Sequence, residues 1–284
     1  MDTAARTPLS KGAFFGRQRR PGAVPCSKIA ILLIAACASL SSAEAQNDCK
    51  PLYLTFDTGH MGVAPLVAEV LARQQVRVTF FAANERTQAG DGSLGDYWAP
   101  WWRARAAEGH EFASHTWDHT YWRADRGTAQ NPSFRVRPSA GQRQGQDFDM
   151  TAADYCAELA RASDRLKRVT GKQPLPLFRA PGGKTSRQLL ASARACGFTH
   201  VGWSPAGFLG DELPSETHSN EALLKKALRE VRSGDILLAH LGIWSRKDAW
   251  APAVLEPLIQ GFKERGFCFR TLREHPVYGP PAGR

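Results

Sequence analysis

Leu52-Tyr53-Leu54-Thr55-Phe56-Asp57-Thr58-Gly59-His60 reads as an apolar strand that ends in a carboxylate, a hydroxyl, a glycine and an imidazole. Three other segments end in the same manner. Leu177-Phe178-Arg179-Ala180-Pro181-Gly182-Gly183 runs into an arginine and a Gly-rich turn, and Asp235-Ile236-Leu237-Leu238-Ala239-His240 runs into a histidine. The apolar stretch at 111–114 runs into His115-Thr116-Trp117-Asp118-His119. Working outward, β-branched enrichment and alternation mark strands at 52–56, 76–81, 111–114, 177–179, 199–202, 235–239 and 267–271. Helical periodicity fills 63–73, 151–169, 186–195, 220–231 and 251–265, the second opening on the capping-box-like Thr151-Ala152-Ala153-Asp154. Strands alternating with helices predict a parallel sheet with its helices outside, and working residues at the C-terminal strand ends. The polar, Gly-rich stretches 84–97 and 121–148 fit neither pattern, and the second, directly after the histidine motif, reads as an active-site rim.

The chain has 284 residues, 43% hydrophobic and 23% charged, which is globular composition and argues against disorder and a polytopic membrane protein. No internal repeat or linker divides it. The N-terminus is punctuated: a basic stretch ending at Lys28, the apolar run 29–36, then Ala43-Glu44-Ala45. That is a secretory signal over 1–45, leaving one domain over 46–284 and predicting an exported protein, periplasmic or secreted. Ile34-Ala35-Ala36-Cys37 also fits a lipoprotein box, and a membrane partner is expected only if Cys37 is lipidated. Net charge is +10. A basic surface suits acidic partners, but part of the excess lies in the leader, and no later Lys/Arg run alternates with aromatics, so nucleic acid is not expected as a partner.

Two histidines four apart share one side of a helical turn, so His115 and His119 can reach one divalent ion. Alone, such a pair is more often chance. Each strand end also has a bland alternative: Asp57 as a helix cap, Arg179 as a surface ion-pair partner, His240 as a satisfied core residue. Reactive groups at all these strand ends together make the bland reading poor.

In order along the chain, 55–59, 115–119, 179–183 and 238–240 resemble motifs of the polysaccharide deacetylase family, carbohydrate esterase family 4: T-F-D-D-G, H-S/T-x-x-H, R-x-P-Y-G and L-x-H. The resemblance spans roughly 52–271. It implies an irregular (β/α)7 TIM-like barrel with an open substrate groove, and a metal-dependent hydrolase that removes acetyl groups from a polysaccharide. An N-acetylglucosamine-type polymer such as peptidoglycan or a chitin-like chain is the expected substrate and partner. By resemblance Asp57 is the general base acting on a metal-activated water, His115 and His119 are metal ligands, Arg179 orients the base, and His240 is the general acid. Gly182 stands where the family has a Tyr whose N–H helps hold the oxyanion. The cofactor implied is a divalent metal, Zn2+ first, with Co2+, Mn2+ or Ni2+ as alternatives.

The sequence departs from the family at Thr58, where the carboxylate ligand stands. Thr58 Oγ or a water fills the place, His60 swings in as a third nitrogen, or the metal is lost. Retention is the expectation, because Asp57, both histidines and His240 remain together. The fourth block, Gly202-Trp203-Ser204-Pro205-Ala206-Gly207, keeps its Trp but not its Asp, which leaves Asp211 or Glu212 to partner Arg179. Of eight tryptophans, Trp117 and Trp244, beside His119 and His240, are expected to line the substrate groove, and Trp98, Trp101 and Trp102 to pack. Past the leader stand Cys49, Cys156, Cys196 and Cys268, an even set in an oxidising compartment. A closed barrel of the family's kind makes Cys49 a neighbour of Cys268 and sets Cys156 beside Cys196 on adjacent helices. The alternatives are an O-acetyl xylan-type esterase, and a non-catalytic glycan-binding barrel that has lost its metal through Thr58. DNA binding is the third, and salt-sensitive DNA affinity without glycan activity would mark it.

Overall fold

The structure is a computed structural model that describes residues 49–280. Internal contacts divide the chain into 1–47 and 48–284. The expected leader, its cleavage site and Cys37 lie outside the described residues. Among the described residues no helix is long and apolar enough to cross a membrane.

Among the described residues, ten strands and six α-helices follow in the order β1 (Lys50–Asp57), α1 (Ala64–Arg73), β2 (Thr79–Ala82), α2 (Ala99–Ala107), β3 (Glu111–Ser114), β4 (Thr120–Gly127), β5 (Pro132–Pro138), β6 (Phe148–Thr151), α3 (Ala152–Thr170), β7 (Leu177–Phe178), α4 (Arg187–Ala195), β8 (Thr199–His200), α5 (Asn220–Glu230), β9 (Ile236–His240), α6 (Leu255–Glu264) and β10 (Phe267–Phe269). β9, β1, β2, β3, β7 and β8 lie side by side, all parallel. Beyond β9, Phe208 forms a parallel bridge with Leu238. Its neighbours Gly207 and Leu209 exchange backbone hydrogen bonds with Leu238. Parallel staves with one irregular member make the fold α/β of the distorted (β/α) barrel type, as the sequence predicts. β10 pairs with the first residues of β1.

The local reasons are ordinary ones. β1 turns from exposed at Lys50 to buried from Leu52 to Asp57, so both of its faces are covered, as a parallel interior strand requires. α1 starts at a proline and buries Val67, Val70 and Leu71 on one stripe. α3 opens on a reciprocal capping box between Thr151 and Asp154 and ends at Gly171, whose φ of 70° only glycine adopts readily. Thr151→Ala removes the cap acceptor and its half of the box. It should cost about 0.5–2 kcal/mol in a urea melt, whereas Thr151→Ser should be nearly neutral.

Residues 121–148 differ from expectation. They are not an irregular rim but most of a separate three-stranded antiparallel sheet, ordered β4-β5-β6. Alternation explains it: Phe134 and Val136 are fully buried while Arg137 points out, and the inward pair meets Tyr155 and Leu159 of α3. The basic and polar residues around them masked a period-two signal that was there to read. α2 carries the tryptophans expected to pack, with Trp101 and Trp102 inside it and Trp98 at its N-cap. Its Trp102 is fully buried and donates its indole N–H to the Ser93 carbonyl at 2.6 Å.

Both pairings of the cysteines stand as expected. Cys49–Cys268 ties the start of β1 to β10 across 219 residues, and Cys156–Cys196 joins α3 to the end of α4, with Cα–Cα distances of 5.7 and 6.2 Å.

Candidate active site

The parallel register puts Asp57 directly beside His240 on β9 and beside Phe81 on β2. Asp57 is 2% exposed. Arg179, fully buried at the end of β7, donates to Asp57 Oδ1 at 2.7 Å and to the carbonyls of Val201 and Gly202 at 3.2 and 3.1 Å. Its guanidinium lies 4.2 Å from the Phe81 ring centroid. Burial pushes the Asp57 carboxyl up, but the Arg179 guanidinium, with smaller help from the His115 and His240 rings, outweighs it and holds the pKa below the usual carboxylate range. Arg179 thus pairs with Asp57, and the expectation that Asp211 or Glu212 would partner it is corrected.

Asp211 serves His240 instead. Its Oδ2 accepts the His240 backbone N–H at 2.6 Å, and the carboxylate lies 3.1 Å from Nδ1. Burial alone would lower the His240 pKa, but the adjacent Asp211 carboxylate, with smaller help from Asp57 and Glu212, raises it to about 9. Nδ1 is therefore committed to Asp211 and Nε2 is left to face the site.

His115 and His119 come together with ring centroids 4.8 Å apart. They do so through a tight loop rather than the helical turn the spacing suggested: Thr116 and His119 hold φ of 64° and 49°. Left-handed backbone at two non-glycine residues costs about 1–3 kcal/mol each and persists only where surroundings hold it. Here Thr116 Oγ1 accepts the Thr120 N–H at 2.7 Å, and Glu158 of α3 accepts the Asp118 N–H at 2.8 Å. His115 Nδ1 lies 2.8 Å from the Arg179 carbonyl, which can only accept, so the proton sits on Nδ1 and Nε2 carries a lone pair. Burial lowers its pKa to about 4, so the ring is neutral at pH 7. Nε2 faces Asp57 Oδ2 at 3.4 Å. Two lone-pair atoms face each other across buried space, which is the setting for a cation between or beside them.

The Thr58 hydroxyl accepts the Ala83 N–H at 3.0 Å, so one of its lone pairs is spent on the backbone. His60 does not swing in: its Nδ1 accepts the Gly62 N–H at 2.9 Å and its ring packs edge-on against Trp244. Sequence reasoning missed Glu85, whose Oε1 stands 3.6 Å from His119 Nδ1 and whose Oε2 is buried without a partner. The missing carboxylate at 58 was the signal, because the unassigned stretch 84–97 holds only Glu85, Asp91 and Asp96 as acids. As placed, no three His, Cys, Asp or Glu side chains among the described residues already converge on one point. The two imidazoles with the unpartnered Glu85 oxygen nevertheless form a donor set of the right chemistry for a divalent ion.

Tyr121 was missed as well. Gly182 takes φ of 63°, and a Cβ there would lie 2.9 Å from Tyr121 Cε1. Tyr121 also meets His119 edge-on at 4.9 Å. The aromatic wall absent at 182 is thus supplied from β4. Trp244 is 56% exposed, with Arg86 5.0 Å from its ring. Trp117 packs instead against the core under Arg161 at 4.1 Å, so its ring is engaged and not free for the groove. A cleft of about 190 Å³ opens at His240 between His60, Gly242 and Arg246. A second, of about 310 Å³, opens at Tyr121 and Lys184.

A parallel α/β sheet with an imidazole pair, a buried ion-paired carboxylate and a carboxylate-backed histidine at its C-terminal strand ends is an enzyme's arrangement. Residues 44–201 match the polysaccharide deacetylase family, more than half of the chain, and the chain belongs to that family, whose members are hydrolases. It is 26% identical over 231 residues to a chitooligosaccharide deacetylase from Azorhizobium caulinodans, spanning 78% of this chain and 92% of that one. Among solved structures, a family 4 acetyl xylan esterase from Clostridium thermocellum in complex with a cobalt ion superposes with a TM-score of 0.59 at 23% identity, covering 79% of this chain and 89% of that one. A pseudoenzyme of the same esterase family from Bacillus anthracis gives 0.56 at 15% identity, covering 80% and 66%. These structural likenesses show the fold.

Proposed function

We propose that the protein is an exported, metal-dependent deacetylase of an N-acetylglucosamine-type polymer. The observation that carries the reading is the pairing of Asp57 and His240 in register on adjacent strands, one held anionic by Arg179 and the other backed by Asp211. An anionic carboxylate takes a proton from water, and an imidazolium gives one to a departing amine, each contribution amounting to about 10²–10⁴-fold. Arg179 fixes which Asp57 oxygen is free by occupying Oδ1. The Gly182 N–H sits at the turn after β7 as a donor for the developing oxyanion. Trp244, 56% exposed and edge-on to His60, offers a ring for a sugar. His115 and His119 would hold the ion, with Zn2+ or Co2+ suiting imidazole donors. When bound it supplies Lewis-acid polarisation of water and carbonyl. The two disulfides support the exported setting.

The test is acetate release from an acetylated glucosamine oligomer by the mature protein, before and after chelation, together with its metal content. About one ion per chain and release that chelation abolishes and metal restores are expected. No bound metal and no acetate with added zinc, cobalt or manganese would overturn the reading. That outcome would favour the glycan-binding alternative, for which Thr58 is the specific motive. Faster release from acetylated xylan than from the glucosamine oligomer would move the substrate to the O-acetyl class.

A further inference from the structure

Imidazole ligands bring no negative charge to balance a divalent ion, and the residue in register for a carboxylate, Thr58, accepts a backbone N–H with its hydroxyl. The group that the hydroxyl holds is Ala83, two residues before Glu85. The segment is pinned on every side. The Glu85 N–H donates to Ser93 Oγ at 2.9 Å, and the Glu85 carbonyl accepts the Ser93 N–H at 2.9 Å. The Asn84 N–H donates at 2.6 Å to the carbonyl of Trp117, inside the histidine motif itself. Asn84 Oδ1 accepts the Leu94 N–H at 3.0 Å and closes the loop. A carboxylate is thus carried on a braced loop to the side of His119, with one oxygen at 3.6 Å from Nδ1 and the other buried without a partner. Such an orphan is costly if nothing ever meets it. His119 Nδ1 also lies 2.5 Å from Ser139 Oγ, so an ion held at that nitrogen beside Glu85 would displace the serine contact.

We infer that Glu85 is the carboxylate ligand of this chain's metal site, doing from the loop after β2 what position 58 does not. The inference rests on the proposed metal-dependent function. It also assigns Thr58 a role, because its bond to Ala83 anchors the strand end that presents Glu85. A charged ligand has moved from the end of β1 to the end of β2, and the His-His-carboxylate donor set is conserved in kind. The bland alternative is that Glu85 only orients His119 from outside the coordination sphere.

Co2+ alone is the probe, titrated into the apo mature protein and followed by absorption, for wild type, Glu85→Gln, Thr58→Asp and the double variant. Loss of an outer-sphere partner costs about 10–100-fold in metal affinity, so a ligand's loss should exceed that. Glu85→Gln should therefore weaken Co2+ by more than 100-fold while its melting temperature and disulfides stay as in wild type. Thr58→Asp should rescue Glu85→Gln strongly yet add little to wild type, a non-additive cycle. Equal gains from Thr58→Asp in both backgrounds, or unchanged Co2+ affinity in Glu85→Gln, would overturn the inference. If Glu85→Gln keeps both metal and acetate release, the inference falls and the proposed function stands. If wild type itself binds no Co2+, both fall.

Discussion

Arg179→Met should destabilise the protein by about 3–5 kcal/mol at neutral pH, the cost of removing one partner of a buried ion pair. The guanidinium is fully buried and makes three hydrogen bonds, to Asp57 Oδ1 and to the carbonyls of Val201 and Gly202. Methionine fills much of the volume but leaves a buried carboxylate uncompensated and two carbonyls without their donor. The pH dependence gives the sign. Asp57 has a depressed pKa in the folded protein, so its pair contributes stability above the unfolded value and loses it as pH falls through the folded one. In the variant, burial of Asp57 loses its largest opponent, with only His115 and His240 left against it, so the pKa rises, and at low pH the carboxyl goes neutral and the penalty shrinks. The gap between wild type and variant in urea melts should be widest at pH 7 and narrow below about pH 4, the ordinary range of an unfolded Asp. Adding Asp57→Asn to Arg179→Met should recover part of the loss. A cost under about 1 kcal/mol with no pH dependence would mean the pair is solvated and its orienting role is wrong.

How much of this was legible beforehand depends on whether the information was local. β3 was read to the residue, and β1 and α1 to within two at each end, because apolar alternation, proline and capping residues act over a few positions. The convergence of Asp57, His115, Arg179 and His240 was legible because each closes a strand and parallel strands bring their ends to one face. What was missed depends on partners distant in sequence. Asp211 lies 29 residues from His240, and only the path of 204–209 along β9 turns it to that ring rather than to Arg179. Glu85 depends on a loop whose shape comes from Ser93 and Trp117, not from any local propensity. Trp117 stands next to Asp118 in sequence, yet the left-handed residues that flank it turn its ring into the core. Spacing alone placed the two histidines together for the wrong reason, since a helical turn was read where strained loop backbone does the work.

His240→Asn should lower acetate release by about 10²–10⁴-fold on protein that is still folded, and should also cost stability, because it removes the cation paired with buried Asp211. Asp211→Asn is the finer test of the same side chain. A general acid works only while protonated, and with Asp211 present the imidazole keeps its proton up to about pH 9, so the alkaline limb of kcat should lie near there. Replacing the carboxylate by an amide removes the largest opponent of burial. Burial then acts nearly alone and lowers the pKa, and the alkaline limb moves toward acid pH. At pH 8 the variant should therefore lose activity that it partly regains at pH 6, a pattern that a loss of folding would not give. The His240 N–H bond to Asp211 Oδ2 can be kept by the Asn oxygen, so the strand end stays placed while the charge is gone. An unshifted limb in Asp211→Asn would mean that another group donates the proton. A limb that shifts while His240→Asn retains full activity would make the histidine a bystander whose titration is read by the site.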